Sequence, residues 1–273
     1  MLPNKVNQIA KKILPSFVKN FILNRISFIR RPDEIKSVIS DQFPFRNGAW
    51  KTYFELLNLP RLFDPVDSDK PYNVRLVFFD QDGKIIHTHE SLKHDVGRTT
   101  LDLNSIFPDM PSIGTFSCFH NFYSGWLEGE ESYLAERGYV GFQNTKLSKT
   151  KGYVHGNFDA IAEDSKKSLK SLGTSNFRNR EYCLQHELTG HASYELFFVN
   201  TTSSSQKITI NLKITDQSDT FNTILIIPPR GLRIFKCDVN SKETAKVKII
   251  SRLNMARPVV FRSTENSFDV FHG

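Results

Sequence analysis

Histidines are the first place to look for chemistry in this chain. His186-Glu187-Leu188-Thr189-Gly190-His191 has the residue types of a metalloprotease motif but not its spacing. That motif needs imidazoles at i and i+4, so that both face one metal. A separation of five turns two helical side chains about 140° apart, and Gly190 argues for a helix end. His87-Thr88-His89 would set two rings on one face of a strand, a spacing that chelates zinc or copper. Apart from Glu90, which alternation points the other way, that strand carries no further ligand, so a solvated face is expected. Cys118 stands two residues before His120 and would share its strand face, but no third group orients the pair for nucleophilic attack. No Gly-x-Ser-x-Gly elbow is present, and apart from Gly114 no glycine precedes a helix to cradle phosphate. Neither a metal nor a cofactor is expected.

A second constellation is more suggestive. His120, Tyr123, Trp126, His155, Asn157 and Asp159 fall on consecutive loops or strand ends of one sheet-rich region. There they could converge on one rim, a ring covering the apolar face of a sugar while Asn, Asp and His bond its hydroxyls. A glycan is therefore an expected ligand. The rival reading is a carbohydrate-active or metal-dependent enzyme with its site on the same rim.

Charge is segregated along the chain. Lys5, Lys11, Lys12, Lys19, Arg25, Arg30 and Arg31 have no acidic residue among them and equal the whole formal charge of +7. Val6, Ile9, Ile13, Phe17, Val18, Phe21 and Ile22 recur beside them at steps of three and four. The spacing predicts a basic amphipathic helix, with Pro15 as a kink or restart. Such a helix docks on its own protein, on a second copy or on an anionic membrane surface, and it has the features of a transit peptide. From residue 32 onward 29 basic residues balance 29 acidic ones, and a neutral body speaks against nucleic acid. Three distant cysteines with no CxxC pair indicate neither a disulfide framework nor a zinc ribbon. No apolar run is long enough to span a membrane, and no cleavage site follows Phe21-Ile22-Leu23. The expected location is cytoplasmic, peripheral at the inner membrane surface.

The positioning elements are mostly strands. Ala49 to Leu59 reads as a helix stopped by Pro60, with Trp50, Tyr53, Phe54 and Leu57 on one face. From residue 72 the period becomes two, and Asp82-Gly83 between apolar runs marks a hairpin. Strands are expected near 73–80, 84–89, 98–103, 114–120, 138–143 and 152–155. A second series covers 193–200, 206–214, 222–227, 232–239, 245–251, 257–262 and 267–271. The series echo each other: Leu76-Val77-Phe78 aligns with Leu196-Phe197-Phe198, and His155-Gly156 recurs as His272-Gly273. The fold class expected is mainly β, two duplicated antiparallel β-sandwich domains preceded by an N-terminal amphipathic helix and a short helical segment. The boundaries are a basic leader at 1–39, helix and first sandwich at 40–162, a linker or long loop at 163–192, and a second sandwich at 193–273.

FFVNTTSSSQKITINL, IIPPRGLRIFKCDV and AKVKIISRLNMARPVVFR together resemble the sensory-rhodopsin-transducer-like and adhesin-like sandwiches of bacteria. The resemblance covers roughly 193–262, with a fainter copy at 72–143. SDQFPFRNGAWKTYFELLNLP is similar to the opening of uncharacterised bacterial proteins found among surface-polysaccharide genes. Together these imply a non-catalytic binding or scaffolding protein linked to envelope glycan assembly, with a structural homo-oligomer subunit as a further alternative.

Overall fold

The computed structural model describes residues 38–57, 72–93, 98–120, 135–136, 138–147, 149–215, 220–240, 242–254 and 257–273. Strands β1 (Val38–Arg46) and β2 (Trp50–Leu57) stand where a short helical segment was expected. The run from Ala49 satisfies both periods, since Trp50, Thr52, Phe54 and Leu56 also alternate with the wetter Lys51, Tyr53 and Glu55. Pairing on both sides decides the matter. β2 lies between β5 (Arg98–Asp102) and β8 (Tyr139–Asn144), which satisfy its backbone while Trp50, Phe54 and Leu56 are buried. The expected leader helix lies outside the described residues, except that Val38 and Ile39 open β1. Among the described residues, α1 (Leu103–Ile106) is the single helical turn, capped by the Asp102 carboxylate.

The other strands of the first half are β3 (Tyr72–Phe79), β4 (Ile85–Lys93), β6 (Ile113–His120), β7 (Ala135–Glu136), β9 (Gly152–His155), β10 (Asn157–Glu163) and β11 (Leu169–Ser171). The second half holds β12 (Ser175–Cys183), β13 (Leu188–Thr189), β14 (Ala192–Val199), β15 (Gln206–Ile214), β16 (Thr220–Ile227), β17 (Leu232–Val239), β18 (Thr244–Leu253), β19 (Val259–Ser263) and β20 (Phe268–His272). They form four sheets, ordered β11-β10-β1-β6-β3-β4, β5-β2-β8-β9, β17-β14-β19-β20 and β12-β18-β15-β16. Residues 163–192, expected as linker, contribute β11, β12 and β13 instead. β12 is a polar edge strand, held to β18 through its backbone, so its composition reads as loop.

Two self-contained sandwiches behind helices do not describe this chain. It is nearly all β, four sheets arranged as a propeller-like half-barrel. One core runs from Phe43, Phe54 and Phe116 through Trp50 and Phe142 to Phe197 and Phe261, crossing three sheets. A second core lies on the opposite face of β14 and β19, where Leu196, Phe198 and Val260 meet Ile208, Ile210 and Ile249. The β17-β14-β19-β20 sheet is thus buried on both faces, which explains why β14 reads as the near-continuous apolar run LFFV.

A repeat is written in the strand order. Matching β1, β2, β3, β4, β5, β6, β8 and β9 in turn to β12, β14, β15, β16, β17, β18, β19 and β20 makes the orders coincide. β1-β6-β3-β4 becomes β12-β18-β15-β16, and β5-β2-β8-β9 becomes β17-β14-β19-β20. The partner of β14 is therefore β2, whereas the sequence echo had paired β14 with β3.

The halves are also joined by turns. Gln81 accepts the Leu232 N–H at 2.9 Å, and Arg233 reaches Asp82 at 2.7 Å. Gly83 has φ +78°, and a Cβ there would meet the Pro229 carbonyl oxygen at 1.9 Å. Gly83→Ala is expected to lose about 2 kcal/mol in urea unfolding, from a left-handed residue plus a displaced turn. Gly48→Ala is the control: φ is +87° with nothing within 4 Å, so strain alone should cost about 1 kcal/mol. Equal losses would show that the two turns do not bear on each other.

Candidate functional site

The expected rim does not assemble as drawn. His120 ends β6 and is buried in the first sheet, register-paired with Val74. Asn157 starts β10 of that sheet opposite Gln42, and Asp159 follows it along the strand. His155 belongs to a different sheet, at the end of β9. Tyr123 and Trp126 lie outside the described residues, as do Lys5, Lys11, Lys12, Lys19, Arg25, Arg30 and Arg31. His155 stacks on His272 with ring centroids 4.1 Å apart. The His272 Nε2–H donates to the His155 carbonyl at 3.0 Å, and the His155 Nδ1–H donates to the Gly156 carbonyl at 3.0 Å. Burial first, then the neighbouring ring, lowers His272 to about 4. This pair is a joint between β9 and β20, with its ring protons spent on backbone.

The other histidine motifs do not assemble a site either. His87 stacks on Phe107 at 4.4 Å, and Glu90 lies across the sheet from it, paired with Arg75. His191 adopts φ +61° and donates its N–H to the Val239 carbonyl at 2.7 Å, while β13 fills the space that a helix would need. Among the described residues, no three His, Cys, Asp or Glu side chains stand close enough to share a metal.

A different surface gathers unspent polar groups: the outer face of the β12-β18-β15-β16 sheet. Strand alternation builds it as a grid. On β18, Lys246, Lys248, Ile250 and Arg252 point outward while Ala245, Val247, Ile249 and Leu253 are buried. β15 sets Lys213 opposite Lys246, Asn211 opposite Lys248 and Thr209 opposite Ile250. β16 continues the rows with Thr220 beside Lys213, Asn222 beside Asn211, Ile224 beside Thr209 and Ile226 beside Lys207. One side of the face is therefore cationic and polar. The other carries Ile224 and Ile226, 56% and 54% exposed; Phe221 of the same strand, 53% exposed, alternates to the opposite face beside Leu212.

β16 is the edge of its sheet, and its sequence TFNTILII has no charge. Natural edges are usually guarded by charge, proline or short length. An uncharged edge with open isoleucines marks an interaction surface more than a solvated one.

At the polar end the face deepens into a cleft of about 540 Å³, lined by Cys183, His186, Asn211, Lys213, Lys246 and Lys248 among others. Glu187 holds Lys246 at 2.9 Å and Glu181 holds Lys248 at 3.0 Å. These hydrogen-bonded carboxylates raise both ammonium groups above their usual range. Lys213 has no ion pair among the described residues.

Sequence reasoning missed this face because it summed charge over the body. Period-two lysines in AKVKIISR and in QKITINLKI were the available signal. A balanced total hides a local patch.

No family model matches the chain, and no curated protein matches it. Among solved structures it is similar to a beta-glucuronidase from glycoside hydrolase family 2 at 9% identity, with a TM-score of 0.15. That alignment takes in 91% of this chain and spans 26% of the other.

Proposed function

We propose that the protein is a non-catalytic binding protein that docks on an anionic membrane surface through the outer face of the β12-β18-β15-β16 sheet. The observation that carries this reading is one pairing of chemistries on one flat face. Exposed lysines at 207, 213, 246 and 248 adjoin the exposed Ile224 and Ile226. Cations near an anionic leaflet contribute about 1 kcal/mol each, and apolar side chains that enter the headgroup boundary add the burial of their remaining exposed area. A sugar-binding face would instead set flat rings beside its amides, and the residues beside Asn211 and Asn222 on this face are lysines, threonines and Ile224. The seven cations of residues 1–31 add to the attraction of the whole chain toward the same surface.

Vesicle co-sedimentation of the full chain tests the reading. Binding should require an anionic lipid such as phosphatidylserine and weaken steeply with salt. Ile224→Ser with Ile226→Ser should lower the affinity roughly 30-fold, since about half of each side chain remains to be buried, about 1 kcal/mol apiece. If that double variant binds like the wild type, the face is not the contact. If a soluble acidic polysaccharide binds the face while vesicles do not, the ligand is a glycan and the membrane reading falls.

A further inference from the structure

The strand repeat supplies an internal control for the sheet edges. β4 and β16 are counterparts, and each ends its sheet. β4, IIHTHESLK, is guarded as exposed edges usually are. Its Glu90 is held by Lys167 at 2.6 Å and lies 3.4 Å from Arg75, and its register against β3 breaks at Phe78 and Phe79. β16 has none of these devices. It carries neither charge nor proline, and its register against β15 runs unbroken from Lys213 opposite Thr220 to Gln206 opposite Ile227. Among the described residues, no strand but β15 pairs with it.

An antiparallel edge strand directs the N–H and C=O of every second residue away from its one neighbour. A second β16 offers the matching row. A two-fold axis normal to the sheet keeps both outer faces on one side, so even-numbered residues must face even-numbered ones. Centring on Ile224 sets that residue against its own copy, Asn222 against Ile226 and Phe221 against Ile227. Centring on Thr223 instead faces each outer isoleucine with Thr220 or Asn222. Centring on Leu225 brings Pro228 opposite Asn222 and shortens the overlap.

Charge does not oppose the pair. Lys207 sits one strand in, opposite Ile226. Three strand spacings, about 14 Å, then separate it from its own copy, beyond the screening length of about 8 Å. The overlap covers on the order of 1,000 Å² in total, at the small end of specific interfaces, which suits a weak, reversible dimer.

We infer that the protein self-associates through β16, two copies joining edge to edge into one continuous antiparallel sheet with Ile224 on the axis. The inference stands apart from the membrane reading, because backbone pairing needs no lipid.

Analytical ultracentrifugation of the full chain in lipid-free buffer tests it. A monomer–dimer equilibrium is expected, with a Kd on the order of tens of micromolar. Ile224→Lys sets two ammonium groups directly opposite each other and should weaken the dimer at least tenfold, as should Ile224→Glu. An equimolar mixture of the two variants should dimerise again, now weakened by salt. Ile85→Lys, on the exposed counterpart edge, should change nothing. A chain that stays monomeric at every concentration leaves the edge to another protein's strand and overturns the inference. So does a dimer indifferent to both Ile224 variants, or a mixture that fails to recover. Failure here with vesicle binding intact leaves the membrane reading standing; a dimer that binds no vesicle removes that reading and keeps this one.

Discussion

Glu195→Ala should cost about 3 to 5 kcal/mol of stability, the penalty for leaving a buried cation without its partner. Glu195 on β14 holds Arg46 at 2.6 Å, and the two side chains are only 19% and 12% exposed. Arg46 ends β1 in the first half, so the pair crosses between the halves. Its guanidinium lies 4.3 Å from the Trp50 ring centre, 4.6 Å from Phe261 and 5.2 Å from Phe197. Burial pulls Arg46 below the usual guanidinium range, and Glu195 only partly offsets it. Burial likewise pushes Glu195 upward, but Arg46 and Lys236 outweigh that and hold it below the ordinary carboxylate value. The Arg46 Nη1 has no hydrogen-bond partner, so aromatic faces supply the rest of its surroundings. Replacing both partners, Arg46→Met with Glu195→Leu, should recover most of the loss, because no charge then stays in the apolar joint. Urea midpoints of the two single variants and the double variant give the result. A loss under about 1 kcal/mol for Glu195→Ala would mean that water reaches Arg46 freely, as at an ordinary surface pair.

Acid should weaken the protein in a window set by His272. Its folded value of about 4 lies below the ordinary 6.5, because burial and the stacked His155 ring oppose the charged form. Arg257 repels the same proton, while the His155 carbonyl favours it. Between those two values the unfolded chain binds a proton that the folded chain does not. Stability is therefore fully present above pH 6.5 and falls as pH drops toward about 4. The full loss is on the order of 3 kcal/mol at 1.36 kcal/mol per pH unit. Carboxylates with lowered values, Glu195 and Glu90, act on the other side of the ordinary 4.5: their contribution is present above it and lost below it. His272→Gln keeps an N–H for the His155 carbonyl and removes the titration. The slope of unfolding free energy between pH 6.5 and 5 should flatten in that variant, and an unchanged slope would exonerate the pair.

The sequence was most legible where alternation was strict. β15, with its buried Gln206, Ile208, Ile210 and Leu212, occupies the residues 206–214 that period two assigned to it. The Asp82-Gly83 turn is likewise where the dipeptide placed it, with Gly83 at positive φ. Legibility failed where one run satisfied two periods. Trp50, Tyr53, Phe54 and Leu57 make a plausible helical face, and only the pairing of β2 with β5 and β8 rejects it. That single misreading removed a strand from the first half and shifted the repeat, since β14 then lacked its counterpart. A polar edge such as β12 fails for another reason: its stabilisation comes from backbone bonds to β18, which leave no mark on composition. Site residues were the least legible. His120, His155 and Asn157 are adjacent in thought because they are rare polar residues near strand ends. Three-dimensional register, which sequence does not carry, leaves His120 and Asn157 on separate strands of one sheet, sends His155 to another, and instead gathers ordinary lysines into one cleft.

The sheet buried on both faces sets a limit on how this chain could be rearranged. Repeats joined end to end can be shuffled, copied or moved to new hosts because each closes its own surface. Here Phe197, Val199, Val259 and Phe261 face the first half while Leu196, Phe198 and Val260 face the second core. A second half carried off alone would bring a strip of phenylalanine and valine to water. The strand order repeats, but the two copies are dependent parts of one object, each needing the other to close its surface.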